Sequence, residues 1–187
     1  CNVMLKDVSL SVGSGNAISI TSGSPTIQVE GDNTITTAGS GAGIYVEENS
    51  AVTIMGDSRD NDKLTVTGAY GSCGIGGYEI ISSGRHYYVN CGDITIRQVT
   101  LSASSSDGRD MVHPGIGAAG DALCGTITID DAIVYAYGGS SKYQDAPGIG
   151  AGVPYATSTS AIPTVVIKNN SIVHAYRGGT GQYKTDY

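Results

Sequence analysis

The phrase CGDITIRQVTL begins at Cys91, and CGTITIDDAIV begins at Cys124. Each is followed at the same distance by a copy of PGIGA, at 114–118 and 147–151. A chain that repeats itself is read for its repeat first. Short alternating segments of three types recur in a fixed order. The first type is VML (3–5), TIQV (26–29), AVTI (51–54), DITI (93–96), TITI (126–129) and TVVI (164–167). The second is VSLSV (8–12), TITT (34–37), KLTVT (63–67), VTLSA (99–103), AIVYA (132–136) and SIVHA (171–175). The third is AISI (17–20), AGIY (42–45), CGIG (73–76) and the two PGIG copies. The order runs first, second, third five times, then first and second again.

Three short strands per repeat describe one coil of a three-sided solenoid. Each strand alternates, so one set of side chains points inward. The alignment puts Leu10, Val66, Leu101, Val134 and Val173 in one inward column, and Ile18, Ile44, Ile75, Ile116 and Ile149 in another. A single coil cannot bury its own apolar face. Stacked coils bury a continuous core, and the loops between strands absorb insertions. About six coils at ~4.8 Å each predict a rod roughly 30 Å long. Helical periodicity is weak throughout. The expected fold is therefore all-β: a right-handed parallel β-helix filling 1–187 as a single domain.

Charge supports the register. The residues after the six first-type strands are Lys6, Glu30, Met55, Arg97, Asp130 and Lys168. Stacked in order, they place opposite charges beside one another and no like charges together, as parallel pairing requires.

The GIGG (74–77) and CGxITI motifs resemble those of secreted, cell-surface right-handed parallel β-helix proteins of gut and other anaerobic bacteria. The resemblance covers almost the whole chain. It implies a bacterial extracellular location, a place within a longer surface protein and carbohydrate binding. It supplies no catalytic residues to carry over.

Composition narrows the function. Phe and Trp are absent while Tyr numbers 12, and the net charge is −7. That balance excludes nucleic acid, which needs clustered Lys and Arg. No apolar run approaches the ~20 residues of a membrane span. The chain opens at Cys1 inside an alternating pattern, which reads as a piece of a larger protein.

Each candidate motif has a plainer structural reading. The Gly-rich GIGG and PGIGA segments lack the following helix that a dinucleotide site needs. They read instead as tight corners and close coil contacts. Cys91 and Cys124 share a register in adjacent coils, so a disulfide lies within reach. A reduced cysteine column, or competition from Cys73, stays open. Asp57, Asp60 and Asp62 are the candidates for calcium, but their spacing matches no EF-hand loop and a solvated turn is preferred. Beyond that calcium option no cofactor is expected. Asp130 and Asp131 form the only DD pair; beside Lys168 they fit an ion ladder better than the paired carboxylates of a glycosidase.

The tyrosines carry the functional expectation. Outward positions of the second side are Ser or Thr in the first four coils, then become Tyr135 and Tyr137, then His174 and Tyr176. Tyr143 and the segment with Arg85, His86, Tyr87 and Tyr88 add rings in loops. Flat amphipathic rings beside hydroxyls suit a sugar. The expected function is a non-catalytic surface or adhesion module whose partner is a polysaccharide or glycan. Two alternatives stay open: a structural spacer or self-stacking fibre segment that meets neighbouring copies or flanking domains, and a polysaccharide lyase or glycoside hydrolase.

Overall fold

The structure is a computed structural model that describes residues 2–107, 112–141, 144–152 and 162–179. Cys1, Asp110, Tyr143 and Tyr155 lie outside the described residues. Strands are numbered in chain order. The first sheet holds β1 (Val3–Lys6), β4 (Thr26–Glu30), β7 (Ala51–Met55), β12 (Asp93–Arg97), β15 (Ile127–Asp130) and β18 (Val165–Lys168). The second holds β2 (Ser9–Val12), β5 (Asp32–Thr37), β8 (Lys63–Thr67), β13 (Thr100–Ser104), β16 (Ile133–Tyr137) and β19 (Ile172–Tyr176). The third holds β3 (Ile18–Ile20), β6 (Ile44–Val46), β9 (Ile75–Gly76), β14 (Ile116–Ala118) and β17 (Ile149–Ala151). Every neighbour pair in these sheets is parallel, and spatial order follows chain order. The chain thus visits the three sheets in rotation. Among the described residues there is no helix, and so none able to cross a membrane. This all-β, three-sheet architecture is compatible with a parallel β-helix.

The corner from the first sheet to the second has a repeated local cause. Asp7, Gly31, Gln98, Asp131 and Asn169 each follow or nearly follow a first-sheet strand with φ between 49° and 71°. One left-handed residue turns the chain sharply there, and Gly, Asn and Asp adopt that conformation most readily. Side chains alternate from that corner on, so Ile94, Ile96, Leu101, Ile116, Ile127, Ile129 and Val134 are all fully buried in one cluster.

The register is as expected over most of the stack: Arg97 lies opposite Asp130, Lys6 opposite Glu30 and Asp130 opposite Lys168. Between the second and third repeats it differs. Ile27 pairs with Ile54 rather than Val52, and Met55 stands opposite Gln28 rather than Glu30. On the second sheet the difference lies between the third and fourth repeats, where Val66 pairs with Ala103 and Leu64 takes the place beside Leu101. A slip of two residues keeps every side chain on its face, so the apolar pattern tolerates either register. Ile149 also differs from its column: it is only half-buried, whereas Ile75 and Ile116 are fully buried. No described strand of the third sheet stacks beyond it.

The segment around Arg85–Tyr88 is not a plain loop. It forms an antiparallel hairpin, β10 (Glu79–Ser82) with β11 (Arg85–Tyr88), inserted between β9 and β12. Its two turn residues, Ser83 and Gly84, have φ of 50° and 73°. Two successive positive values match the tight turn that suits a twisted hairpin.

Candidate functional site

The outer face of the second sheet presents two columns of side chains. Thr34 and Thr36 stand opposite Ser9 and Ser11 on one side, and opposite Thr65 and Thr67 on the other. Ser102 and Ser104 continue the columns, and Tyr135 and Tyr137 follow on β16. His174 and Tyr176 close them on β19. The pleat makes this face independent of the core, because Val134 and Ala136 alternate with the two tyrosines and point inward.

The four aromatic side chains are stacked. Tyr135 and His174 have ring centroids 4.9 Å apart and planes 8° apart. Tyr137 and Tyr176 are 5.0 Å and 10° apart. His174 and Tyr176 are 6.2 Å apart on the same strand, again nearly coplanar in tilt. Ring normals therefore run from strand to strand, and ring edges point away from the sheet. Tyr137 and Tyr176 remain 40% and 39% exposed. The result is a rigid patch of C–H edges, phenol hydroxyls and one imidazole, bordered by Ser and Thr hydroxyls.

Arg85, His86, Tyr87 and Tyr88 do not join this patch. Their hairpin leaves from the third sheet, and no ring contact links the two groups among the described residues. The hairpin instead contributes to a buried polar cluster that the sequence reading missed. Glu79 is buried on β10, and its Oε1 bonds His86 Nδ1. Its Oε2 lies 3.9 Å from Nε2 of the buried His113. The Gly120 N–H donates to His113 Nδ1 at 3.1 Å, which assigns the imidazole proton to Nε2, facing the carboxylate. Burial favours a neutral Glu79. The two imidazoles placed against it, His113 and His86, outweigh burial and hold the carboxyl below its ordinary range. Tyr88 packs its ring 6.0 Å from His113. The cluster ties the hairpin to the segment before β14. The signal available in sequence was slight: a single glutamate at the start of an apolar strand, and a histidine before PGIG.

The acidic loop residues are engaged by the chain itself. Asp62 accepts the Gly31 N–H through Oδ1 at 3.1 Å, and those of Asp57 and Ser58 through Oδ2 at 2.8 and 2.9 Å. Burial works to raise its pKa, but these backbone hydrogen bonds lower it below the usual value. Asp57 accepts from Gln28 Nε2 at 3.0 Å, and Asp60 is exposed. Asp130 takes Asn169 at 2.7 Å and Lys168 at 3.5 Å, and Asp131 takes Arg59 at 3.2 Å. Among the described residues no group of three or more His, Cys, Asp or Glu side chains is placed to hold a metal ion.

Cys91 and Cys124 are bonded, with Cα atoms 4.4 Å apart, while Cys73 is a buried free thiol. Burial raises the Cys73 pKa far above its ordinary value. The disulfide lines an open polar depression of about 430 Å³ with Glu48, Asn49 and Asp93. Asn90 closes over Glu48 at 2.9 Å, and Asp93 accepts the Thr126 N–H at 2.7 Å.

Compared with protein-family models, with curated proteins and with solved structures, the chain matches none. The functional reading therefore rests on the residues themselves.

Proposed function

We propose that this chain is a right-handed, three-sided parallel β-helix serving as a non-catalytic surface or adhesion module of a bacterial protein. It binds carbohydrate on the outer face of its second sheet. The observation that carries the reading is the stacked quartet Tyr135, Tyr137, His174 and Tyr176, held on strands beside uncharged hydroxyls. A sugar offers C–H patches for ring edges and hydroxyls for the phenols and the imidazole. The bonded Cys91–Cys124 pair supports an oxidising exterior. No metal is needed for such binding, and calcium enters only as a condition to vary.

The test is a glycan array with the intact chain, with and without calcium, followed by the double substitution Tyr137→Ala, Tyr176→Ala. Both side chains point outward, so melting should barely change. Losing stacked aromatics at a binding site costs more than ~1 kcal/mol, which is several-fold in affinity. Undiminished binding by the double variant would place the sugar elsewhere.

A second reading, a spacer or self-stacking fibre segment, has its own observation. Val165, Ile167 and Ile172 on β18 and β19 are 40%, 53% and 45% exposed, and no described strand pairs with the outer edges of these strands. Open parallel edges of this kind invite another copy. Concentration-dependent assembly in sedimentation, with no glycan bound, would favour it.

A further inference from the structure

We infer that the ligand of the second sheet's outer face is a linear, uncharged polysaccharide lying along the stacking axis. It crosses the whole row of strands, and the aromatic quartet grips one end of it. This rests on the carbohydrate reading above and adds the ligand's direction, length and charge.

Direction comes from the register. The two outward columns continue without a slip across all six strands, from Ser9 and Ser11 to His174 and Tyr176. The first sheet's two-residue offset between the second and third repeats does not reach this face, where Thr34 and Thr36 stand directly opposite Ser9 and Ser11 on one side and Thr65 and Thr67 on the other, so the columns stay straight. Five strand spacings give a track about 24 Å long, and residues two apart set its columns about 7 Å apart. A pyranose in an extended glycan is about as long as one strand spacing. Successive sugars therefore meet chemically equivalent rows, and a ribbon one ring wide fits between the columns.

The chemistry of the rows supports the same ligand. Ser104 Oγ bonds Thr67 Oγ1 at 3.3 Å. The hydroxyls of Ser9, Ser11, Thr34, Thr36, Thr65 and Ser102 make no hydrogen bond to the protein among the described residues, so water satisfies them and a ligand hydroxyl can replace it. Neither column carries a carboxylate, a lysine or an arginine. The nearest charges on this face, Asp32 and Lys63, pair with each other at 3.6 Å. A chain of net charge −7 repels polyanions, and the lysine on this face is already paired with Asp32.

The test is calorimetric titration of the intact chain with β-1,4-linked cello-, manno- and xylo-oligosaccharides, from the disaccharide to the octasaccharide. Oligogalacturonates serve as the charged contrast. For at least one neutral series, affinity should climb roughly ten-fold or more from the trisaccharide to the hexasaccharide and then level off. Thr34→Val with Thr65→Val keeps shape and strand preference while removing two hydroxyls far from the rings. It should weaken the hexasaccharide several-fold and leave the trisaccharide unchanged. If affinity is flat with length while Tyr137→Ala, Tyr176→Ala still abolishes binding, the sugar site stands and the axial track is wrong. Binding of oligogalacturonate in preference to every neutral series refutes the charge argument. No binding by any series overturns both this inference and the reading it rests on.

Discussion

Gly117, in the middle of the first PGIGA copy, gives the most direct check on why that phrase recurs. Its φ is +137°, and a Cβ added there would stand 1.8 Å from the Gly150 carbonyl oxygen of the next repeat. Carbon–oxygen contacts settle near ~3.3 Å, so β14 and β17 would have to part by about 1.5 Å. That separation strains the bonds from Ile116 N to Gly148 O and from Gly152 N to Ala118 O, now 3.0 and 2.8 Å long. Weakening two or three such bonds costs about 1 kcal/mol each. The unfavourable φ adds about 1–3 kcal/mol, and the stiffer unfolded chain returns about 0.4–1. Gly117→Ala should therefore lose about 3–5 kcal/mol. Two controls separate the causes. Gly150 has nearly the same φ, +144°, but its nearest atom is the movable Pro147 Cγ at 3.3 Å, so Gly150→Ala reports the backbone strain with little clash. Gly84, with φ +73° and nothing within 4 Å, should cost about 1 kcal/mol or less. Urea unfolding followed by circular dichroism ranks the three. If Gly117→Ala proves no worse than Gly150→Ala, the close approach of neighbouring repeats is not what selects glycine.

Ile116→Asp places a carboxylate in a fully buried position, at several kcal/mol against a total of roughly 5–15, so it should yield no folded chain. Unchanged melting of a soluble variant would refute the buried isoleucine column. Replacing Cys91 and Cys124 by alanine opens a loop of 33 residues and should cost about 3–4 kcal/mol, read from urea midpoints; insensitivity of the parent to reductant would contradict it. Glu79 has a folded pKa below its ordinary 4.5, so its contribution is complete above that value and is lost as pH falls through the lower folded one. The melting difference between the parent and Glu79→Gln should hold from pH 7 to about 5, shrink below 4.5 and vanish at lower pH. A difference constant down to pH 3 would remove the carboxylate from this role.

The parts that were legible from sequence share one cause. A strand's side-chain period of two, repeated in three segment types, leaves few ways to bury Ile94, Leu101 and Ile116 together. From β12 onward the register follows the sequence alignment without a slip, which is why the grouping of Tyr135 and Tyr137 with His174 and Tyr176 was readable. The slips, in the first sheet between the second and third repeats and in the second sheet between the third and fourth, were not readable, because a two-residue shift leaves the hydrophobic pattern unchanged. Polar details accompany the observed register. Asn33 takes the core column beside Leu64 and is satisfied there by Val8 N at 2.9 Å and Glu30 O at 3.0 Å. Asp62 reaches back to cap Gly31. The Glu79–His86–His113 cluster was hidden for a different reason. Its members lie up to 34 positions apart, and only the packed hairpin desolvates the carboxylate that joins them.

The division of labour between faces explains how such a chain can carry a binding surface without weakening its fold. Inward positions hold the core, and the corners hold the left-handed turns. Ion pairs occupy the strand ends: Lys6 with Glu30 at 2.6 Å, Asp130 with Lys168 at 3.5 Å, Asp131 with Arg59 at 3.2 Å. These pairs are exposed enough to add little stability. Their contribution is to favour one register, since a slip would pull the paired charges apart. With register and core secured elsewhere, the outward positions of the second sheet are free to vary. A change from Ser and Thr to Tyr and His there alters no buried contact, because Val134 and Ala136 keep their places beneath the rings. An aromatic patch can therefore be added or removed on any pair of repeats without disturbing the core.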